Sequence, residues 1–134
     1  MGLLEQLKAN NYAIIASNGY CSSDNGIKPV ISKINESINF FEGLDVADKI
    51  VGKASAMLLC MSKVNKVYCL VLSESGKSIF DLYGVEYEYE KLVPYIINRD
   101  GNDMCPMEKT VKDIDDFKQA LVALNNKLSS LKAK

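Results

Sequence analysis

The chain has 134 residues, 48% of them hydrophobic, enough for one well-buried core, so 1–134 is expected to form a single domain. Its 16 basic and 17 acidic residues leave a net charge of -1, which gives no overall field for a polyanion and excludes general nucleic-acid binding. Histidine is absent, which removes the commonest zinc ligand and the usual general base, and with them Ser-His, Cys-His and HExxH chemistry.

The N-terminus has no basic, apolar and small-residue succession of a signal peptide, and no apolar run reaches membrane-spanning length, so a cytoplasmic protein with no membrane partner is expected. A myristoylation signal fails because Gln6 stands where Ser or Thr is needed. The four cysteines, Cys21, Cys60, Cys69 and Cys105, form no CxxC pair, and two of them lie in apolar runs as small hydrophobes do, so no disulfide framework is expected.

In chain order, residues 3–9 predict a short helix. The run Tyr12 to Ser17, then Asn18-Gly19, then Tyr20 to Ser22 predicts a hairpin, since Asn-Gly suits a type I′ turn. Pro29 fits a helix start, and Val30, Ile31, Ile34, Ile38 and Phe41 form one face of a helix that Gly43 ends. Asp45 then suits the cap of a central helix on which Val46, Ile50, Ala54, Met57, Leu58 and Met61 recur at helical spacing. Lys66 to Ser73 is β-branched and apolar with little alternation, as a strand covered on both faces would be. A helix from Ser75 to Tyr83 stopped by Gly84, followed by the alternating Val85 to Tyr89, implies a parallel crossover. Residues 91–97 are ambiguous, because Pro94 suits neither a helix interior nor a central strand. Asp115 or Asp116 opens a last helix with Phe117, Ala120, Leu121, Leu124, Leu128 and Leu131 as its apolar stripe. Helices on both faces of a mixed sheet, an α/β fold, is the economical architecture.

Three segments could carry chemistry. Ser73 to Ser78 ends like a phosphate-binding loop, but the pattern needs a Gly five residues before Gly76, where Val71 stands. In Ala47 to Ala54, the expected helix would pair Asp48 with Gly52 and Lys49 with Lys53 at i,i+4, and a helix-interior Gly52 would invite close approach by a backbone or a ligand. A solvated charged face is the plain alternative. In "NRDGNDMCPME", residues 98–108, Pro106 at the first helical position makes Cys105 the N-cap and lets Glu108 reach back as in a capping box. The same thiol, at a helix start beside Arg99, is also where a thiolate is stabilised. Asp100, Asp103 and Glu108 form a further, generic set for a hard cation.

"ADKIVGKASAML" at 47–58, "LVPYIINRDG" at 92–101 and "CPME" at 105–108 together resemble a family of bacterial proteins, domain of unknown function 1893, over nearly the whole chain. The resemblance implies a cytidine deaminase-like fold, a three-layer α/β/α sandwich around a mixed sheet. Zinc deaminases carry H-x-E at one helix start and P-C-x-x-C at the next. The corresponding places here hold Gly52-Lys53-Ala54 and Ser73 to Ser78, so no zinc, and no other cofactor, is implied. The family motifs imply instead a site of Asp48, Lys49, Gly52, Lys53, Asn98, Arg99, Cys105 and Glu108. Where the family is expected to carry Thr-Gly before CPME, this chain has Asn102-Asp103, which adds negative charge there.

The resulting expectation is a homo-oligomeric protein that binds a small polar molecule, nucleotide-like by fold analogy. Lys49, Lys53 and Arg99 would meet anionic groups, Asn98 a polar one, and Asp48 and Glu108 would accept hydrogen bonds. The alternatives are an enzyme using Cys105 as nucleophile or redox thiol, and a non-catalytic structural or regulatory module.

Overall fold

The computed structural model describes residues 2–24, 26–97, 101 and 103–132. Among them the chain runs α1 (Leu3–Asn10), β1 (Ile14–Ala16), β2 (Cys21–Ser22), α2 (Lys28–Glu36), β3 (Asp45–Val51), α3 (Lys53–Met61), β4 (Lys66–Ser73), α4 (Glu74–Tyr83), β5 (Glu86–Val93), α5 (Pro106–Val111) and α6 (Phe117–Lys132). The strands form one mixed sheet in the order β2-β1-β3-β4-β5. β1 is antiparallel to both β2 and β3, whereas β3, β4 and β5 run parallel. The α/β architecture expected from the sequence is therefore present.

Strand alternation sorts the core. Ile14, Ala16, Val46, Val67 and Cys69 belong to the main cluster, while Ile15 and Ala47 face the other way and join Leu7 of α1. α1 thus covers one face of the sheet. On the other face α3 and α4 pack side by side, and α2, α5 and α6 gather around α3. Every residue of α3 from Lys53 to Cys60 is buried, the mark of a helix enclosed on all sides.

Three expectations are corrected. The hairpin forms, but its turn is not type I′. Gly19 N–H donates to Ala16 O at 3.0 Å and Ala16 N–H to Tyr20 O at 2.8 Å, which leaves the three-residue loop Ser17 to Gly19. Only Gly19 in it has a positive φ, 97°, as a type I turn closed by one left-handed residue requires.

The helix expected from Asp45 is instead a strand, then a helix. Val46 and Ile50 are four residues apart, a spacing that is even as well as helical, so it also places both on one face of a strand. Position in the sheet decides the matter: β3 is paired along both edges, with β1 and with β4. Asp45 therefore caps no helix; its carboxylate accepts from Asn65 Nδ2 at 2.7 Å. Gly52 is the junction between strand and helix and not a helix-interior residue.

α2 ends at Glu36, seven residues before Gly43. Beyond it, turns bring Phe40 and Phe41 against Tyr20 in edge-to-face contacts, with centroids 5.4 and 6.4 Å away, and against each other at 4.9 Å. Ile38, expected on the apolar face, is exposed, while Phe41 is fully buried. Aromatic packing outweighs continuation of a helix whose next turn would have no core to cover.

β4 and α4 form where expected, with Ser73 as N-cap and Gly84 closing α4 at φ 70°. β5 extends to Val93 and stops before Pro94, which resolves the ambiguous stretch. Asp116 caps α6 by accepting Gln119 N–H at 2.9 Å.

Candidate functional site

β3 and β4 end side by side, Val51 opposite Leu72, so their carboxyl ends deliver the starts of α3 and α4 to the same place. The two helix starts touch backbone to backbone: a Cβ on Gly76 would lie 3.1 Å from both C and O of Gly52. Ser73 caps α4 by accepting Gly76 N–H at 3.0 Å. α3 has no cap of its own, because Gly52 has no side chain.

That cap comes from 55 residues downstream. Both carboxylate oxygens of Glu108 in α5 accept from Lys53 N–H, at 2.8 Å and 2.9 Å. Ser73 Oγ donates to Glu108 Oε1 at 3.5 Å. An acid at a helix start is stabilised both by the orphan donors and by the helix dipole. Gly52 has to be glycine for this to occur, since a Cβ there would sit 1.5 Å from Glu108 Oε1. Its own backbone, φ -108°, is ordinary extended geometry, so the requirement is space and not conformation.

Glu108 is therefore not a capping-box residue for α5. Cys105 is the N-cap as expected, but its N–H donates to Ile96 O at 2.8 Å, which leaves Glu108 free to point across to α3. Beside the carboxylate lies a cleft of about 40 Å³, with Ile27, Ile50, Ile96 and Met107 as apolar walls and Cys105 at its rim. Burial raises the Glu108 carboxyl above the ordinary carboxylate value, opposed by the Lys53 N–H, the Ser73 hydroxyl and the Lys53 charge.

The structure brings Gly52, the Lys53 backbone, Cys105 and Glu108 together and separates the rest. Asp48 lies inside β3 in a row between Ile14 and Cys69, 5% exposed. Burial raises its carboxyl to about 8 from the ordinary 3.8, against the lowering effect of the Ile50 and Lys49 N–H groups. Lys49 is half-buried on the neighbouring strand position, so strand alternation turns the two side chains to opposite faces. The Lys53 ammonium is turned away from Glu108: it donates to Lys112 O at 3.0 Å and lies 3.7 Å from Asp115 Oδ1. Asn98, Arg99 and Asp100 lie outside the described residues.

Asp103 accepts Met104 N–H and pairs with Lys109, which holds its carboxyl below the ordinary value, so it is not gathered with Glu108. Lys77, the basic residue of the loop-like segment, bonds Asp81 at 3.1 Å, one turn along its own helix. Among the described residues no group of three or more Cys, Asp or Glu side chains is placed to hold a metal ion. The starts of α3 and α4 carry glycine, lysine and serine, a donor set that does not suit zinc.

Sequence reasoning missed Ser73 and Gly76 as parts of this site, and Ile50 and Ile96 as its walls. The signal for the first two was present in Ser-x-x-Gly directly after a strand, which was weighed as a phosphate loop. Nothing local marked Ile96, which arrives through the bridge between Ile97 and Met104.

A mixed five-stranded α/β sheet with paired helix starts over the carboxyl ends of its parallel strands defines the class of the protein. The model of the domain of unknown function DUF1893 (TM1506) matches residues 2–128, and the chain belongs to that family. A crystal structure of a DUF1893 family protein, TM1506 from Thermotoga maritima, superposes with a TM-score of 0.85 at 31% identity, covering 92% of this chain and 86% of that one. No curated protein matches the chain.

Proposed function

We propose that the protein is a zinc-free, deaminase-like binding protein whose cleft beside Glu108 takes the polar end of a small molecule. The observation that carries this reading is an acidic residue, Glu108, only 5% exposed yet lining a cleft, at the carboxyl ends of parallel strands where open α/β sheets place their ligands. The strand order and the two adjacent helix starts support the deaminase-like part, which is fold analogy and brings no deaminase chemistry. At about 40 Å³ the cleft holds one small group, so a nucleotide-like ligand would lie mostly outside it. The chain acts as one cytoplasmic domain, and β5, the longer of the two edge strands, is the edge through which copies would pair.

Native mass spectrometry of protein purified gently from cells, then of the same sample denatured, tests the reading. A small non-covalent mass lost on denaturation, and lost also in Glu108→Gln, is the expected result. Protein that carries no added mass, and whose melting temperature is unmoved by a panel of nucleosides, nucleotides, amines and small acids, would sink it.

A second reading has its own observation. Cys105 lies at the rim of the same cleft, half-buried, so a ligand held there would meet its thiol. Turnover of a bound ligand that stops in Cys105→Ser would establish it, and unchanged turnover would remove it.

A further inference from the structure

The charges around the cleft oppose the role the sequence suggests for its lysines. Of its ten lining residues among the described ones, only Glu108 and Cys105 can ionise, and Glu108 is the one carboxylic acid. The lysine nearest in sequence, Lys53, has its ammonium committed to Lys112 O at the C-terminal end of α5. The positive end of α3, which would otherwise attract an anion, is already occupied by the Glu108 carboxylate. An anion entering the cleft would therefore meet a buried carboxylate and, among the described residues, no free donor of comparable strength.

A carboxylate offers about four acceptor positions. Lys53 N–H is shared between the two oxygens, Ala54 N–H also bonds the carboxylate and Ser73 Oγ sits at a long 3.5 Å, so acceptor capacity remains for one more donor. The walls are isoleucine and methionine, which keep the local dielectric low and strengthen any charge pair made against them. The volume, about 40 Å³ where a single water needs roughly 10–15 Å³, suits a head group of a few heavy atoms.

We propose that the cleft recognises a cationic nitrogen, the primary ammonium end of a small amine, with Glu108 as its counter-ion. This rests on the ligand-binding reading above and gives that ligand a charge and a head group. Among the described residues, the groups that face Glu108 are Lys53 and the Ala54 N–H from α3, Ser73 from the end of β4 and Cys105 from the start of its own helix. None of these supplies an ammonium within the cleft.

The Lys53 amide, bonded to both Glu108 oxygens, is the reporter. Its proton–nitrogen resonance is followed while methylammonium, tetramethylammonium, acetamide or acetate is added at constant ionic strength. Saturable movement with methylammonium, at least about tenfold tighter than with acetamide, is expected, with none from tetramethylammonium, which the cleft cannot admit. Glu108→Gln should weaken it by about tenfold or more. Should that variant not fold, the wild type decides alone, because acidification that protonates Glu108 should weaken methylammonium by about tenfold per pH unit. Saturation by acetamide or acetate and not by methylammonium would overturn the cationic assignment while leaving a ligand site. Equal response to tetramethylammonium, or persistence in Glu108→Gln, would also overturn it. Silence toward all four would remove both the assignment and the cleft as a binding site.

Discussion

Gly52→Ala tests the central contact of the site most directly. Ala is acceptable to the extended backbone of residue 52, so no conformational penalty accompanies the change. The added methyl would lie 1.5 Å from Glu108 Oε1, 2.4 Å from its carboxyl carbon and 2.9 Å from Ile96 Cγ1, so the carboxylate must leave. Its departure strips α3 of its cap and leaves Lys53 N–H buried without a partner, which costs about 2 kcal/mol. Forcing Ile96 and the α5 segment aside adds about 1–3 kcal/mol of overpacking. Together Gly52→Ala is expected to cost roughly 3–5 kcal/mol, and Glu108→Ala alone about 2 kcal/mol, since it loses the cap without a clash. In the double variant the alanine at 108 makes room for the methyl at 52, and the cap is lost only once. The double should therefore be more stable than the sum of the singles predicts by about 2–5 kcal/mol, about 2 from the cap counted once and the rest from relieved overpacking. Urea unfolding of the four proteins at one pH measures this. Costs that add to within about 0.5 kcal/mol would refute the argument that Gly52 is small to admit Glu108.

Asp48→Asn should stabilise the protein increasingly with pH. The native carboxyl titrates at about 8 against an ordinary 3.8, so the native state holds the proton more tightly than the unfolded chain. The wild type is accordingly unpenalised below pH 3.8, loses stability between there and about 8, and is level above. The gain from Asn should rise from near zero at pH 4 to about 2–4 kcal/mol at pH 8, relaxation of the buried site keeping it below the full 1.4 kcal/mol per pH unit. A difference that stays flat from pH 5 to 9 would contradict it. Lys53→Met should cost only about 1 kcal/mol, since it keeps the packed stem and loses one charged hydrogen bond to Lys112 O. A fall of several kcal/mol, read by the same unfolding assay, would mean the ammonium holds more than that carbonyl. Under native conditions a thiol reagent should modify Cys21 and Cys105, which are exposed and half-buried, and spare Cys60 and Cys69, which are buried. Burial pushes the Cys60 thiol up to about 12 and that of Cys69 higher still, so modification of either before Cys105 would show that the core opens more easily than its packing implies.

Local chemistry made much of this protein legible in its sequence. Lys66 to Ser73 was readable as a strand because β-branched and apolar residues run unbroken, and α4 because Gly84 stops it. Pro106 marked the start of α5 and Asp115 or Asp116 that of α6, of which the structure uses Asp116, since a fixed φ and a side-chain acceptor act within one turn of the chain. Three short motifs were enough to identify the family. The segment 45–51 could not be settled the same way, because a four-residue spacing of Val46 and Ile50 satisfies a helix and a strand alike. Hydrogen bonding to β1 and β4 on either side chose the strand, and with it moved Asp48 into the core and Lys49 to the opposite face. Glu108 shows the same division: its place in the first turn of α5 was local information, but its partner is the Lys53 N–H 55 residues away. Sequence spacing carries caps, turns and strand propensity because those forces act between neighbours. The cleft, its carboxylate and the need for glycine at 52 arise where the end of β3 and the start of α3 meet Ile96 and α5, and only the tertiary structure brings those together.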